Sequence, residues 1–174
     1  MTRLLIPFVA VVLFYLEPVF GLFSPVEIGG VYYYLIPRFL IMFLIFVGVY
    51  YNRQRALMYA IIFGLLYDLF HIDIIGLYAF LYPAVCLLAI WAVRHIHQHI
   101  IVVTLITLLL VAVLETALYG FFTMIGFIGM PFGEFAATRL VPTMIANSVF
   151  LVLLGWVFKS LANRRSIQKR EGML

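Results

Sequence analysis

The sequence predicts an all-α polytopic membrane protein, a six-helix transmembrane bundle forming a single integral membrane domain over residues 1–174. Three observations predict it. Apolar residues make up 67% of the chain and charged residues 10%, and the mean hydropathy is +1.19, far from the composition of soluble domains. The apolar residues gather into six runs, and a helix rising about 1.5 Å per residue needs roughly 20 of them to cross a hydrocarbon core of about 30 Å. Lys and Arg collect in alternate connections, as the sidedness of membrane insertion requires.

The runs, in order, are Leu4 to Phe23, Val31 to Tyr51, Ala56 to Phe70, Ile74 to Val93, Ile100 to Phe127, and Leu140 to Phe158. The first has a basic start like a signal peptide, but no A-x-A-like site follows and Glu17-Pro18 interrupts the place of cleavage, so it reads as a retained span. The third covers only about 22 Å if wholly helical. It either continues past Asp68 or ends in a partly embedded turn. Pro37 and Pro142 stand near helix starts, where a missing N–H is tolerated.

Arg3, Arg53, Arg55, Arg94, Lys159, Arg164, Arg165, Lys169 and Arg170 lie in one set of connections and ends. The other connections, near 24–30, 71–73 and 128–139, hold Glu27, Asp73 and Glu134, with Arg139 as their only basic residue. This pattern places both termini in the cytoplasm. Tyr32, Tyr33 and Tyr34 outside, and Tyr50, Tyr51, Trp91 and Trp156 inside, fit the interfacial belts. The pI of 9.3 does not point to nucleic acid, because the basic residues mark helix ends and form no patch interleaved with aromatics.

Glu17, Arg38, Asp68 and Glu115 fall in the outer half of the spans, joined by Arg139 and Asn147 of the last helix. Ionisable groups at such depth cost a few kcal/mol or more and face the bundle interior, where they find partners. Three acids thus have two arginines at similar depth. Arg139, Thr143 and Asn147 share a face at i, i+4 and i+8, as do Ala60, Gly64 and Asp68, whose small residues admit a close backbone. Glu115, Tyr119 and Thr123 form a third stripe. An internal polar core that fixes helix register is the simplest account. A ligand or ion site open to the outside, and a groove for a partner's transmembrane helix, are the alternatives.

Cys86 is the only cysteine, so the chain has no intrachain disulfide or cysteine zinc site, and it reads as a small buried apolar residue. His95 and His99 would share a helical face, but no third metal ligand is evident. There is no phosphate-binding Gly-rich loop, G-x-S-x-G elbow or H-E-x-x-H. No cofactor, metal or catalytic residue is predicted.

Three segments carry a family resemblance: I-P-R-F-L at 36–40, F-G-L-L-Y-D at 63–68 with Gly76 beyond, and R-L-V-P-T-M-I-A-N at 139–147. With V-L-E at 113–115 and the basic tail, their order and spacing resemble the MreD family of bacterial rod shape-determining membrane proteins, in its Bacillus-like form, over essentially the whole chain. The resemblance implies a non-enzymatic scaffold or regulator of the cell-elongation complex in the bacterial cytoplasmic membrane. It would bind an MreC-like bitopic protein and act, directly or indirectly, with MreB-like filaments and the transglycosylase and transpeptidase pair that builds lateral peptidoglycan. Membrane lipids are the other expected partners. The candidate polar-core or partner-binding residues are Glu17, Arg38, Gly64, Asp68, Gly76, Glu115, Arg139, Pro142, Thr143 and Asn147. MreD-like proteins are also similar in fold to the vitamin-binding subunits of energy-coupling-factor transporters, which makes such a subunit the alternative. Its expected A-x-x-x-A motif is missing, since Ala10 is the only alanine before residue 24. An ion or proton channel is the third class.

Overall fold

The structure, a computed structural model, describes residues 4–96 and 98–170, with no side-chain description at 164–166 and 168–170. Arg3 and the side chains of Arg164, Arg165, Lys169 and Arg170, used in the charge count, lie outside the described residues. The elements are α1 (Leu5–Gly21), β1 (Val26–Ile28), β2 (Val31–Tyr33), α2 (Phe39–Tyr50), α3 (Arg53–Tyr67), α4 (Leu77–His95), α5 (Ile100–Met124), α6 (Phe132–Phe135) and α7 (Val141–Arg170). One π-turn, Asp68–Ile72, extends α3, and a second, Ala136–Leu140, joins α6 to α7.

Among the described residues, four helical stretches are long and apolar enough to cross a membrane: Arg53–Ile72, Leu77–His95, Ile100–Met124 and Phe132–Asn163. Leu5–Gly21 and Phe39–Tyr50 are apolar but shorter. Large apolar side chains such as Leu109, Val152 and Leu153 are more than half exposed, which water would penalise and lipid would not.

The short helix α2 is the axis of the fold. Its run F-L-I-M-F-L-I-F-V-G has no polar face, and a helix apolar all round belongs in a core. Residues Phe39 to Gly48 are all buried, with α1, α3, α4, α5 and α7 packed around them. α3 packs most extensively against α4. Gly64 is the reason, since a Cβ there would stand 2.5 Å from the Tyr78 carbonyl oxygen and 2.8 Å from Ala79 Cα. The third span does continue past Asp68, then reverses through Asp73 (φ 58°) and enters α4 at Gly76 (φ 108°).

Several expectations need correction. The fold is not purely helical: β1 and β2 pair antiparallel across Gly29-Gly30, both at positive φ, the geometry that suits a two-residue hairpin turn. The second apolar run therefore becomes a helix only at Phe39, after a strand and a stretch outside helix and strand. The last helical run starts at Phe132, eight residues ahead of the expected Leu140, so Pro142 lies within it. Helix α4 ends at His95, and His99 precedes α5 in extended backbone, so the two do not share a helical face. Among the described residues, no three His, Cys, Asp or Glu side chains are grouped to hold a metal.

Candidate functional site

Because successive helices alternate in direction, the end of α1, the start of α2, the end of α3, the start of α4, the C-terminal part of α5 and the start of α7 meet at one end of the bundle. The polar residues singled out above sit on these segments. Glu17, Arg38, Asp68, Glu115, Thr143 and Asn147 are all buried, and Arg139 is half-buried.

Arg38 precedes the first turn of α2 and stands at the centre. Its Nε donates to Glu115 Oε1 at 2.5 Å and its second guanidinium nitrogen to the Tyr78 hydroxyl at 3.1 Å. The guanidinium carbon also lies 5.4 Å from the Tyr78 ring centre. Arg139 reaches the other Glu115 oxygen at 3.5 Å, while its Nε is buried without a hydrogen-bond partner. Glu115 is thus shared by two arginines, and a fully buried carboxylate needs such partners.

The other two acids do not pair with arginine. Asp68 accepts N–H groups from Gly76, Tyr78 and Ala79 at 2.8, 2.7 and 3.1 Å, which makes it the cap of α4 contributed by the preceding helix. Glu17 does the same for α2, accepting the Leu40 N–H at 2.7 Å. A helix N-terminus offers orphan donors and a positive dipole end, so it can replace a cation as the partner of a buried acid. Three carboxyl groups thus share this end with two guanidiniums, and only Glu115 is paired with them.

The expected face of α7 forms and has a definite task. Between the hairpin and α2 the chain runs outside helix and strand into the buried Pro37 and Arg38, and backbone groups shut off from water there must find side-chain partners. Thr143 Oγ1 accepts the Ile36 N–H at 3.1 Å and donates to the Tyr34 carbonyl at 3.1 Å. Asn147 accepts the Arg38 N–H at 2.8 Å and donates to the Ile36 carbonyl at 2.8 Å. Pro142 contributes by omission. In an α-helix the N–H of residue 142 would bind the carbonyl of residue 138, and here that carbonyl accepts the Tyr34 N–H at 2.8 Å. Gly64 and Gly76 act on backbone, by close approach and by positive φ. The third stripe runs along α5 as expected but leaves the polar cluster after Glu115: the Tyr119 hydroxyl donates to the Met130 carbonyl at 2.8 Å and Thr123 is exposed.

Sequence reasoning missed Tyr78 and Tyr82, buried one turn apart on α4, and Tyr67, stacked 5.1 Å from Tyr78. The signal was present as an i, i+4 tyrosine pair in an apolar run. Beside this aromatic group is an open cavity of about 330 Å³ lined by Glu17, Ser24, Tyr34, Pro37, Tyr67 and His71 among others. The second oxygen of Glu17, Oε2, is buried and has no hydrogen-bond partner.

A family model described as rod shape-determining protein MreD matches residues 1–165. The chain is similar to the rod shape-determining protein MreD of Bacillus subtilis (strain 168), with 33% identity over 159 residues, 91% of this chain and 92% of that protein. It is also similar to the cell shape-determining protein MreD of Streptococcus pneumoniae (strain ATCC BAA-255 / R6), with 25% identity over 161 residues, 90% and 92% of the two chains. No solved structure matches it. Whole-length agreement with the family model and with a relative at this identity leads to one conclusion: the chain belongs to the MreD family of rod shape-determining proteins.

Proposed function

We propose that this chain is a non-enzymatic, multi-pass subunit of the cell-elongation complex in the bacterial cytoplasmic membrane, regulating lateral peptidoglycan synthesis by holding an MreC-like bitopic partner. In this reading all six apolar helices are embedded, both termini are cytoplasmic, and the polar end faces outward. MreB-like filaments and the wall-building transglycosylase and transpeptidase pair are engaged through that partner. The bundle arrangement is taken to be similar to that of energy-coupling-factor substrate-binding subunits. No observation favours vitamin binding over partner binding.

The observation that carries the reading is the cavity beside Glu17. It opens at the end where the non-helical strap and hairpin meet α1 and α3, and its wall includes a carboxylate oxygen without a partner. That unpartnered oxygen suits a cationic residue flanking the partner's single transmembrane helix, which would supply the missing donor. The remaining polar residues hold the strap and helix starts that shape this cavity.

Co-purification from membranes tests the proposal. Tyr34→Arg fills the cavity mouth with bulk and charge and leaves the backbone bonds of Tyr34 in place. It should reduce capture of the MreC-like partner severalfold with an unchanged thermal midpoint in detergent, and Glu17→Gln should weaken capture as well. Wild-type capture by both variants would remove the cavity from the proposal.

A further inference from the structure

The opposite end of the bundle holds a second cavity, also about 330 Å³, between the α2–α3 turn and the segment after α4. Its polar wall is Tyr51, Asn52, Arg53, Gln54, Arg94 and Gln98. That wall has two guanidinium groups and no carboxylate, and neither arginine forms an ion pair among the described residues.

Three further features point to an anion. Arg53 and Gln54 open α3, where the first N–H groups have no intrahelical carbonyl, and the Asn52 side chain takes only the Arg55 N–H, at 3.0 Å. The Tyr51 hydroxyl is buried and makes no hydrogen bond. Positive charge also flanks the site, with the Arg55 guanidinium 5.5 Å from the Tyr51 ring centre and the Lys159 ammonium 5.3 Å from that of Tyr50. Tyrosines and arginines at the end of apolar helices mark the headgroup layer. A wall rich in donors and free of acids, at that depth, matches a phosphate ester better than an amine or a neutral sugar.

We propose that this cavity is a binding site for the phosphate of an anionic phospholipid headgroup, gripped by Arg53 and Arg94 with Tyr51 as a neutral donor. It is a separate site from the Glu17 cavity, and it does not depend on how that cavity is used. A basic membrane face attracts anionic lipid diffusely. A built site instead discriminates among arginines at equal depth.

Native mass spectrometry of the full chain, titrated with phosphatidylglycerol or phosphatidylcholine in neutral detergent, reads the difference. Phosphatidylglycerol should bind saturably and more tightly than phosphatidylcholine. Arg53→Gln combined with Arg94→Gln should weaken it about tenfold or more, the expected effect of two cations at a headgroup. The control pair Arg55→Gln with Lys159→Gln removes the same charge from the flank of the cavity and should weaken binding clearly less than the cavity pair does. Tyr51→Phe alters no charge and little volume, so it keeps the test independent of insertion, and it should weaken binding severalfold. Equal losses in the two charge pairs, or no lipid preference, would overturn the site. Saturable binding of glycerol phosphate with the same sensitivity to Tyr51→Phe would overturn the lipid assignment.

Discussion

At the scale of single residues, the buried ionisable groups are held by two devices, an ion pair and the N–H groups of helix starts. Arg38 and Glu115 form the one fully buried ion pair among the described residues, and such pairs are strongly asymmetric in energy. Removing one member leaves an uncompensated charge and costs about 3–5 kcal/mol, whereas replacing both with apolar residues is often neutral or better. Glu115→Leu and Arg38→Met should therefore each lower the unfolding midpoint in detergent sharply. The double variant should lie well above either single one, giving a large coupling in a double-mutant cycle. Additive losses would show that Tyr78 and Arg139, not this pair, carry the stability. Asp68 and Glu17 differ because their partners are main-chain N–H groups. A residue count shows acids and arginines, so the sequence invites pairing one with the other. It does not display donors at a helix start, which exist only once the helix has formed.

At the scale of elements, the α3–α4 contact and the strap ahead of α2 decide the shape of the polar end. Gly64→Ala would drive a methyl group into the Tyr78 and Ala79 backbone, which cannot rotate away. Overpacking typically costs about 1–3 kcal/mol, and backbone contact puts this site at the upper end or beyond. The midpoint should fall, and exchange protection should drop at the start of α4, where the Asp68 cap depends on the same approach. Pro142→Ala makes an opposite kind of prediction. The new N–H would compete for the Thr138 carbonyl, so hydrogen exchange should rise across Val26 to Tyr34 while global stability changes little. Unchanged protection of the hairpin would mean that Thr143 anchors it alone. The helical stretches from Arg53 onward were legible in the sequence, because apolar length is a direct signal. The hairpin was not, since V-Y-Y-Y-L-I adjoins the apolar run of α2 and Gly29-Gly30 reads equally well as a plain loop. The start at Phe132 was hidden by Gly133 and by charged Glu134 and Arg139, which look like a connection. Of the candidate residues, the faces of α3 and α7 were readable from spacing alone, whereas Tyr78 was lost among apolar neighbours.

At the scale of the whole molecule, the two ends have opposite chemistry, acidic and tightly bonded at one, basic and open at the other. The proposed orientation follows from this polarity, and site-directed labelling tests it. In a Cys86→Ser background, Glu27→Cys on the exposed hairpin should react with a membrane-impermeant maleimide in intact cells. Gln98→Cys should react only after lysis, and the reverse pattern would invert the bundle. The spacing of the polar contacts along the chain also bears on synthesis. Asp68 finds its partners 8 to 11 residues later and Glu17 after 23, but Arg38 must wait 77 residues for Glu115. The strap is later still, since Asn147 follows Ile36 by 111 residues. A nascent chain with four helices made has thus settled both early acids while carrying an uncancelled cation and an unsupported stretch of backbone. Such a chain needs shelter from lipid by the insertion machinery until α5 and α7 emerge, so the timing of release is written into its central arginine.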